Sequence, residues 1–368
     1  MSIFLGGILM RSRKLIIITL IAFLALLFPV QAFADTVATL DFNKIESLMN
    51  ARNPMISENM STYTNAVNGK TQGIAAMDAL LAQWSAVNTA YGGGTGASPQ
   101  YEAAISYLLA AQKAALDQQK SSYTSINTTN TLLNIEKGDN TLIWSMEMLY
   151  ISYNAIGYQL DDLMVKKSLA ERQVKILKLQ QKLGMVTQLT VDEAENSLLA
   201  LESAVQSLKE SKESILQQFN LNLNQDYDCV LTVNDVPNVT KDQIAGIDVQ
   251  KDYLDAKGKS YDYILDSYSL DSERKFKNNF YRAYQTVLDK QQALDAETKK
   301  MATAESKWKI TQLKYKLGMI SEIQFETERS TYMSQQTTTE IAKDTVMQAY
   351  RQYEWAKRGL IVSSSTGA

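Results

Sequence analysis

From Thr141 onward, Leu142, Met146, Leu149, Tyr153, Ile156, Leu160, Leu163, Val174, Leu177 and Leu183 recur mostly three, four or seven positions apart. That spacing lines apolar side chains along one face of a helix. It predicts a helix from Asn140 to Leu183, about 65 Å long at about 1.5 Å per residue. A rod of that length buries too little surface on itself and has to lie along other rods. Gly184 then offers the left-handed backbone that ends a helix, and Thr187 can cap the next. The stripe resumes at Val191, Leu198, Leu201, Val205, Leu208, Ile215 and Phe219. So short a connection folds the chain back on itself and makes Gly184 to Thr187 the tip of an antiparallel hairpin.

The same phrase is then written again. Residues 170 to 219 and 304 to 353 align at a constant offset of 134, with Lys-Leu-Gly-Met-Val-Thr at 182 to 187 matched by Lys-Leu-Gly-Met-Ile-Ser at 316 to 321. Repetition on this scale sets the architecture before any single residue takes a role. Ile247 to Thr311, nearly free of glycine and proline, reads as helix, with Phe276, Phe280, Tyr284, Val287, Leu294, Met301, Trp308 and Tyr315 at helical spacing. Gly318 and Ser321 repeat the turn, and Ile323, Phe325, Tyr332, Thr339, Val346, Tyr350 and Tyr353 lead down a last helix to Gly359. At this spacing the aromatic residues suit core packing or a subunit interface better than a ligand-stacking platform. The expected fold class is all-α, built from duplicated long antiparallel helical hairpins.

Ahead of the repeat, Leu40 to Met49 opens the first half. Asn53 can cap a helix that starts at Pro54, where the missing N–H costs nothing, and that helix reads to about Ala90. Gly92 to Pro99 interrupts it. Its glycines lack the Gly-Lys-Ser or Gly-Lys-Thr of a phosphate-binding loop, which makes it a turn. Tyr101 to Asn127 reads as a shorter helix, closed by the polar stretch Ser125 to Asn130. Between the halves, Leu221 to Thr240 changes character: alternation around Tyr227, Cys229 and Leu231 allows a short strand near 227–232 or an irregular strap, ended by Pro237.

The N-terminus supplies a compartment. Arg11, Arg13 and Lys14 precede an apolar run from Leu15 to Phe28, and Ala-Phe-Ala ends at Ala34, the order of a secretory signal. Met10 is an alternative start. The run is shorter than the roughly 20 residues of a membrane-spanning helix, which favours cleavage after Ala34 over an uncleaved anchor. Cleavage would remove three positive charges and no negative ones, taking the formal charge from -3 to -6. Such a balance argues against nucleic acid as a partner. The expected domains are a signal peptide at 1–34, a first hairpin repeat with its strap at 35–240, a second repeat at 241–360 and a flexible tail at 361–368.

Candidate chemistry is thin. With no histidine in the chain, His-based metal sites, dyads and triads are excluded. Cys229 is the one cysteine, so no internal disulfide forms, and nothing nearby in sequence activates it as a nucleophile. Asp192, Glu193, Glu195, Glu202 and Glu326 fall on hairpin surfaces without companions of a catalytic type. An enzyme is not expected, nor a cofactor or a metal.

Two Leu-Gly-x-x-Ser/Thr turns between very long helices, Asn53-Pro54 near the mature start, and the ending Tyr-Glu-Trp-Ala-Lys-Arg-Gly at 353 to 359 give the chain its resemblance. It resembles the outer membrane efflux protein family, the TolC-like exit ducts, over most of residues 40 to 359. The resemblance implies a homo-oligomer, in that family a trimer, whose coiled hairpins form a tunnel and whose hairpin tips meet a periplasmic adaptor protein of an export system. Carried onto this sequence, the docking tips are Gly184, Met185, Val186 and Thr187 with Gly318, Met319, Ile320 and Ser321. Family members also complete a membrane β-barrel with strands from each half. Here the corresponding regions, 85–130 and 247–283, lack the nine to eleven alternating residues of a barrel strand. Two readings follow: an exported cell-envelope duct component without a conventional barrel, or a secreted or surface-attached helical scaffold that kept the fold without transport.

Overall fold

The computed structural model describes residues 36–91 and 99–362. The expected signal segment, the glycine-rich turn at 92–98 and the tail from 363 lie outside the described residues. Residues 36–38, the described part of the first unit, form no regular element.

From Thr39 onward the chain is a second unit made almost wholly of helix. Strand β1 (Thr39–Leu40) and a short 3₁₀ turn lead into α1 (Ile45–Arg52), α2 (Pro54–Tyr91) and α3 (Pro99–Thr124). The long elements α4 (Thr128–Lys182) and α5 (Gln188–Asn222) follow, and strand β2 (Thr232–Val233) lies in the strap. Three short helices, α6 (Lys241–Ala245), α7 (Val249–Lys257) and α8 (Tyr261–Leu265), precede α9 (Leu270–Lys316) and α10 (Glu322–Lys357). Among the described residues no helix is long and apolar enough to cross a membrane, and β1 and β2 are the only strands.

Helix α4 is longer than its stripe predicts. Asn127 accepts a hydrogen bond from the Asn130 backbone N–H at 3.0 Å, and that cap starts the helix at Thr128 rather than Asn140. The continuous helix expected over Ile247 to Thr311 is corrected more sharply. Ser260 caps α8 and Ser269 caps α9, while Ser267 and Tyr268 between them adopt left-handed backbone at φ 51° and 62°. Those two caps divert backbone N–H groups from a through-running ladder, so the segment folds as three helices with turns between. The strand expected near 227–232 shrinks to Thr232–Val233, which pairs in parallel with Thr39–Leu40. The rest of the segment is the irregular strap.

The two hairpins, α4/α5 and α9/α10, meet along α4 and α10. Ser334 donates to Asp162 at 2.6 Å, Thr337 to the Tyr158 carbonyl at 3.1 Å, and Arg351 to Glu147 at 2.5 Å, a register that runs antiparallel. Glu147 is buried at this seam. The carboxylate takes two bonds from Arg351 and a third, at 2.8 Å, from the indole N–H of Trp355. A buried charge is tolerated because its oxygens are met by a planar fork and a further donor. Outside the seam the flanks are open: α5 lies on one side, α9 on the other, and the four long helices make a layer in the order α5, α4, α10, α9. An apolar cluster sits at the base of the second hairpin, where Phe276, Phe280 and Val287 of α9 pack with Tyr253, Val346 and Tyr353.

Candidate functional site

The hairpin tips are built by the same local rules twice. Gly184 adopts φ 72° and Gly318 φ 69°, the left-handed conformation that a side chain disfavours. The N–H of the residue after each glycine reaches back five positions: Met185 donates to the Gln180 carbonyl at 2.8 Å and Met319 to the Lys314 carbonyl at 2.9 Å. This is a Schellman closure, which satisfies carbonyls that the helix end leaves free. Each return helix is then capped. Thr187 accepts from the Thr190 N–H at 3.2 Å. Ser321 accepts from the Gln324 N–H at 3.3 Å, while the Gln324 side chain accepts from the Ser321 N–H at 3.1 Å, a full capping box.

Both tips point the same way. Arg172 of α4 pairs with Glu322 at the start of α10, so the second tip lies beside the first hairpin. Gly184 stands twelve positions beyond Arg172, whereas Gly318 stands four before Glu322. At about 1.5 Å per residue the first tip therefore projects about 12 Å farther.

The eight sequence-predicted residues fall in these two turns and form two patches. Met185 and Met319 are each 67% exposed, while Val186 and Ile320 are only half-buried at the inside of the turn. Sequence reasoning missed a larger feature. Ile176 and Leu179 on α4 with Leu183 at its C-cap, and Ile310 and Leu313 on α9 with Leu317 at its C-cap, are all exposed, at i, i+3, i+7 spacing that leads to each methionine. The two triplets are related by the offset of 134. That correspondence was the available signal; the part it could not supply was which face stays uncovered.

No catalytic arrangement accompanies the tips. Glu195 is paired with Lys178 at 2.5 Å, Glu202 with Lys167 at 3.3 Å and the partly buried Glu326 with Arg329 at 3.4 Å. Among the described residues no cluster of three or more acidic or cysteine side chains could hold a metal ion. Cys229 lies half-buried in the strap. Its neighbour Asn220 donates to the Cys229 carbonyl at 2.7 Å, which makes the segment a packed connection.

No protein-family model matches the sequence, and no curated protein matches it. Solved structures do. The outer-membrane channel OprN superposes with a TM-score of 0.53 over 86% of this chain and 90% of that one, at 10% identity. The fold is TolC-like. A membrane protein from Pseudomonas aeruginosa matches over 86% of this chain and 92% of that one, at 10% identity and a TM-score of 0.47. The Campylobacter jejuni CmeC outer membrane channel matches over 68% of each chain, at 11% identity and a TM-score of 0.45. Within this TolC-like fold, the tips and the exposed stripes beside them are the candidate site.

Proposed function

We propose that copies of this chain assemble into a barrel-less, TolC-like duct of an exporting cell envelope, and that the hairpin tips receive an adaptor protein. The observation that carries the reading is an unfinished wall. Inside one chain the hairpins meet through α4 and α10; by the repeat, α9 is the counterpart of α4 and α5 the counterpart of α10. The equivalent contact would join α9 of one copy to α5 of the next. Applying the offset of 134 to the contacts Tyr158–Thr337, Asp162–Ser334 and Arg172–Glu322 gives Gln292 with Ser203, Ala296 with Ala200, and Ser306 with Gln188. All six of these residues are exposed in the single chain. They pair a hydroxyl with a carbonyl, small with small, and polar with polar, which supports a closed ring in which each flank covers another.

The experiment uses the cleaved chain with Cys229→Ser, Ala200→Cys and Ala296→Cys. Oxidation is expected to link copies through a ladder that ends at a closed ring, because the two new thiols sit on opposite flanks of one chain. On the same background, Met185, Val186, Met319 and Ile320 are replaced together by Asp. Cross-linking and thermal unfolding should stay as they were, while adaptor capture and export by the assembled system fall sharply, since unpaired charge is costly to desolvate. Absence of cross-linking would remove the ring. Cross-linking with undiminished export and capture would remove the docking role of the tips, and a ring that supports neither export nor capture in the native chain would leave the scaffold reading.

A further inference from the structure

The strap crosses the seam between α4 and α10, and one residue pins it there. The Asn234 N–H donates to the Leu40 carbonyl at 3.1 Å, and its side chain donates to Asp41. Its carbonyl accepts from the Tyr150 hydroxyl at 2.6 Å and from the Asn154 side chain at 3.3 Å, both on α4. The next strap residue is Asp235. Its charge reaches Asp344 of α10, which is 4% exposed and has a carboxylate oxygen, Oδ2, with no hydrogen-bond partner.

The groups around Asp344 are unbalanced. Its own helix contributes Glu340 and Lys343, the strap contributes Asp235, and α4 contributes Tyr158, whose hydroxyl is itself pushed up to about 12 by burial and by the carboxylates of Asp344, Asp235 and Glu340. Lys343 already bonds Glu340 at 2.8 Å. Burial first, then the like charges of Glu340 and Asp235, push the Asp344 carboxyl up to about 7, with Lys343 offsetting part. A neutral carboxylic acid suits so buried a position, whereas the anion would sit there beside the like charges of Glu340 and Asp235.

We propose that the strap is a pH-sensitive latch: protonated Asp344 lets it lie across the seam between the two hairpins, and loss of that proton to water releases it. The sign follows from linkage. In the released state Asp344 is hydrated and titrates near the ordinary value of 3.8, whereas in the latched state it holds its proton until about pH 7. The latched state therefore binds the extra proton between those values. Latching is complete below about pH 4, weakens by up to about tenfold per pH unit through the window, and is level above about pH 7.

Hydrogen exchange of strap peptides spanning 224–240 tests this, with the full chain and Asp344→Asn compared at each pH so that the intrinsic pH dependence of exchange cancels. The ratio of native to variant exchange is expected to be at least tenfold higher at about pH 7.5 than at about pH 4.5, with peptides of α9 unchanged. A ratio that does not vary with pH, or that rises equally in α9, would overturn the latch. Asp235→Asn provides a second arm should Asp344→Asn fail to fold. By removing one like charge it should move the release window to lower proton affinity of Asp344 and keep the strap more protected at neutral pH; behaviour identical to the native chain overturns the proposal.

Discussion

The two hairpins occupy one frame and fill it with different chemistry. Near the tips, the first is aliphatic: Val174 of α4 and Val191 of α5 are buried between the helices. The positions 134 later hold Trp308 and Phe325, with ring centroids 5.0 Å apart. Tyr315 stacks on Phe325 at 4.3 Å and Tyr332 on Trp308 at 5.7 Å, which makes an aromatic ladder in which Trp308, Phe325 and Tyr332 are half-buried and Tyr315 is exposed. At the base the hairpins converge again. Phe219 and its counterpart Tyr353 are both fully buried, the first beside Tyr150 and Tyr153, the second beside Phe280 and Tyr284. Duplication thus preserved spacing and caps around the turns, and side-chain kind at the tips and at the roots of the hairpins, while the seam between them was refilled. A long two-helix seam can be filled by small branched residues or by stacked rings provided that both helices change together.

The largest expected effect lies at the shared base. Phe219→Ala and Tyr353→Ala should each cost about 3–5 kcal/mol in denaturant unfolding, the usual range for removing a buried ring. Tyr353 also gives up its 2.8 Å bond to Asp252. A loss below about 1 kcal/mol at either position would break the equivalence of the two roots. A smaller effect is expected from importing one hairpin's filling into the other. Trp308→Val should cost about 2 kcal/mol, since it removes two ring contacts and leaves a void, and Val174→Trp about 1–3 kcal/mol by overpacking. If both were neutral, the ladder and the aliphatic seam would be interchangeable fillings. The smallest effect separates the caps. Thr187→Ala and Ser321→Ala should each cost about 1 kcal/mol, with the smaller loss at Ser321, because the Gln324 side chain goes on accepting from the backbone N–H at position 321. Amide exchange in the first turns of α5 and α10 reads the difference directly.

The tips were legible because everything that makes them is local: a glycine at positive φ, a hydroxyl three residues on, and apolar periodicity on both sides. The start of α4 was missed because its cap, Asn127, precedes Thr128 and Thr129, whose weak helix preference hides the boundary. The break-up of 247–283 was harder still. Its turns rest on Ser267 and Tyr268 in left-handed backbone, positions where neither glycine nor asparagine gives warning. Pairing of Thr39–Leu40 with Thr232–Val233 joins two-residue strands far apart in sequence, and so short a segment carries no alternation to find. At the candidate site, the glycines, methionines and caps could be named from sequence. The exposed triplets could not, because Leu177 and Leu179 look alike until the packing shows that Leu179 faces outward.

The step of about 12 Å between the two tips has a mechanical meaning. In a closed ring of such chains, long and short projections alternate around the rim, as teeth do on a coupling. A flat surface brought to that rim would rest on the long teeth alone and could turn freely. A surface with its own steps would seat to full depth only at particular rotations, and once seated would transmit torque. In such a ring the unequal reach of two nearly identical turns would set the angular phase between this end and whatever meets it, independently of how tightly any one tooth is held.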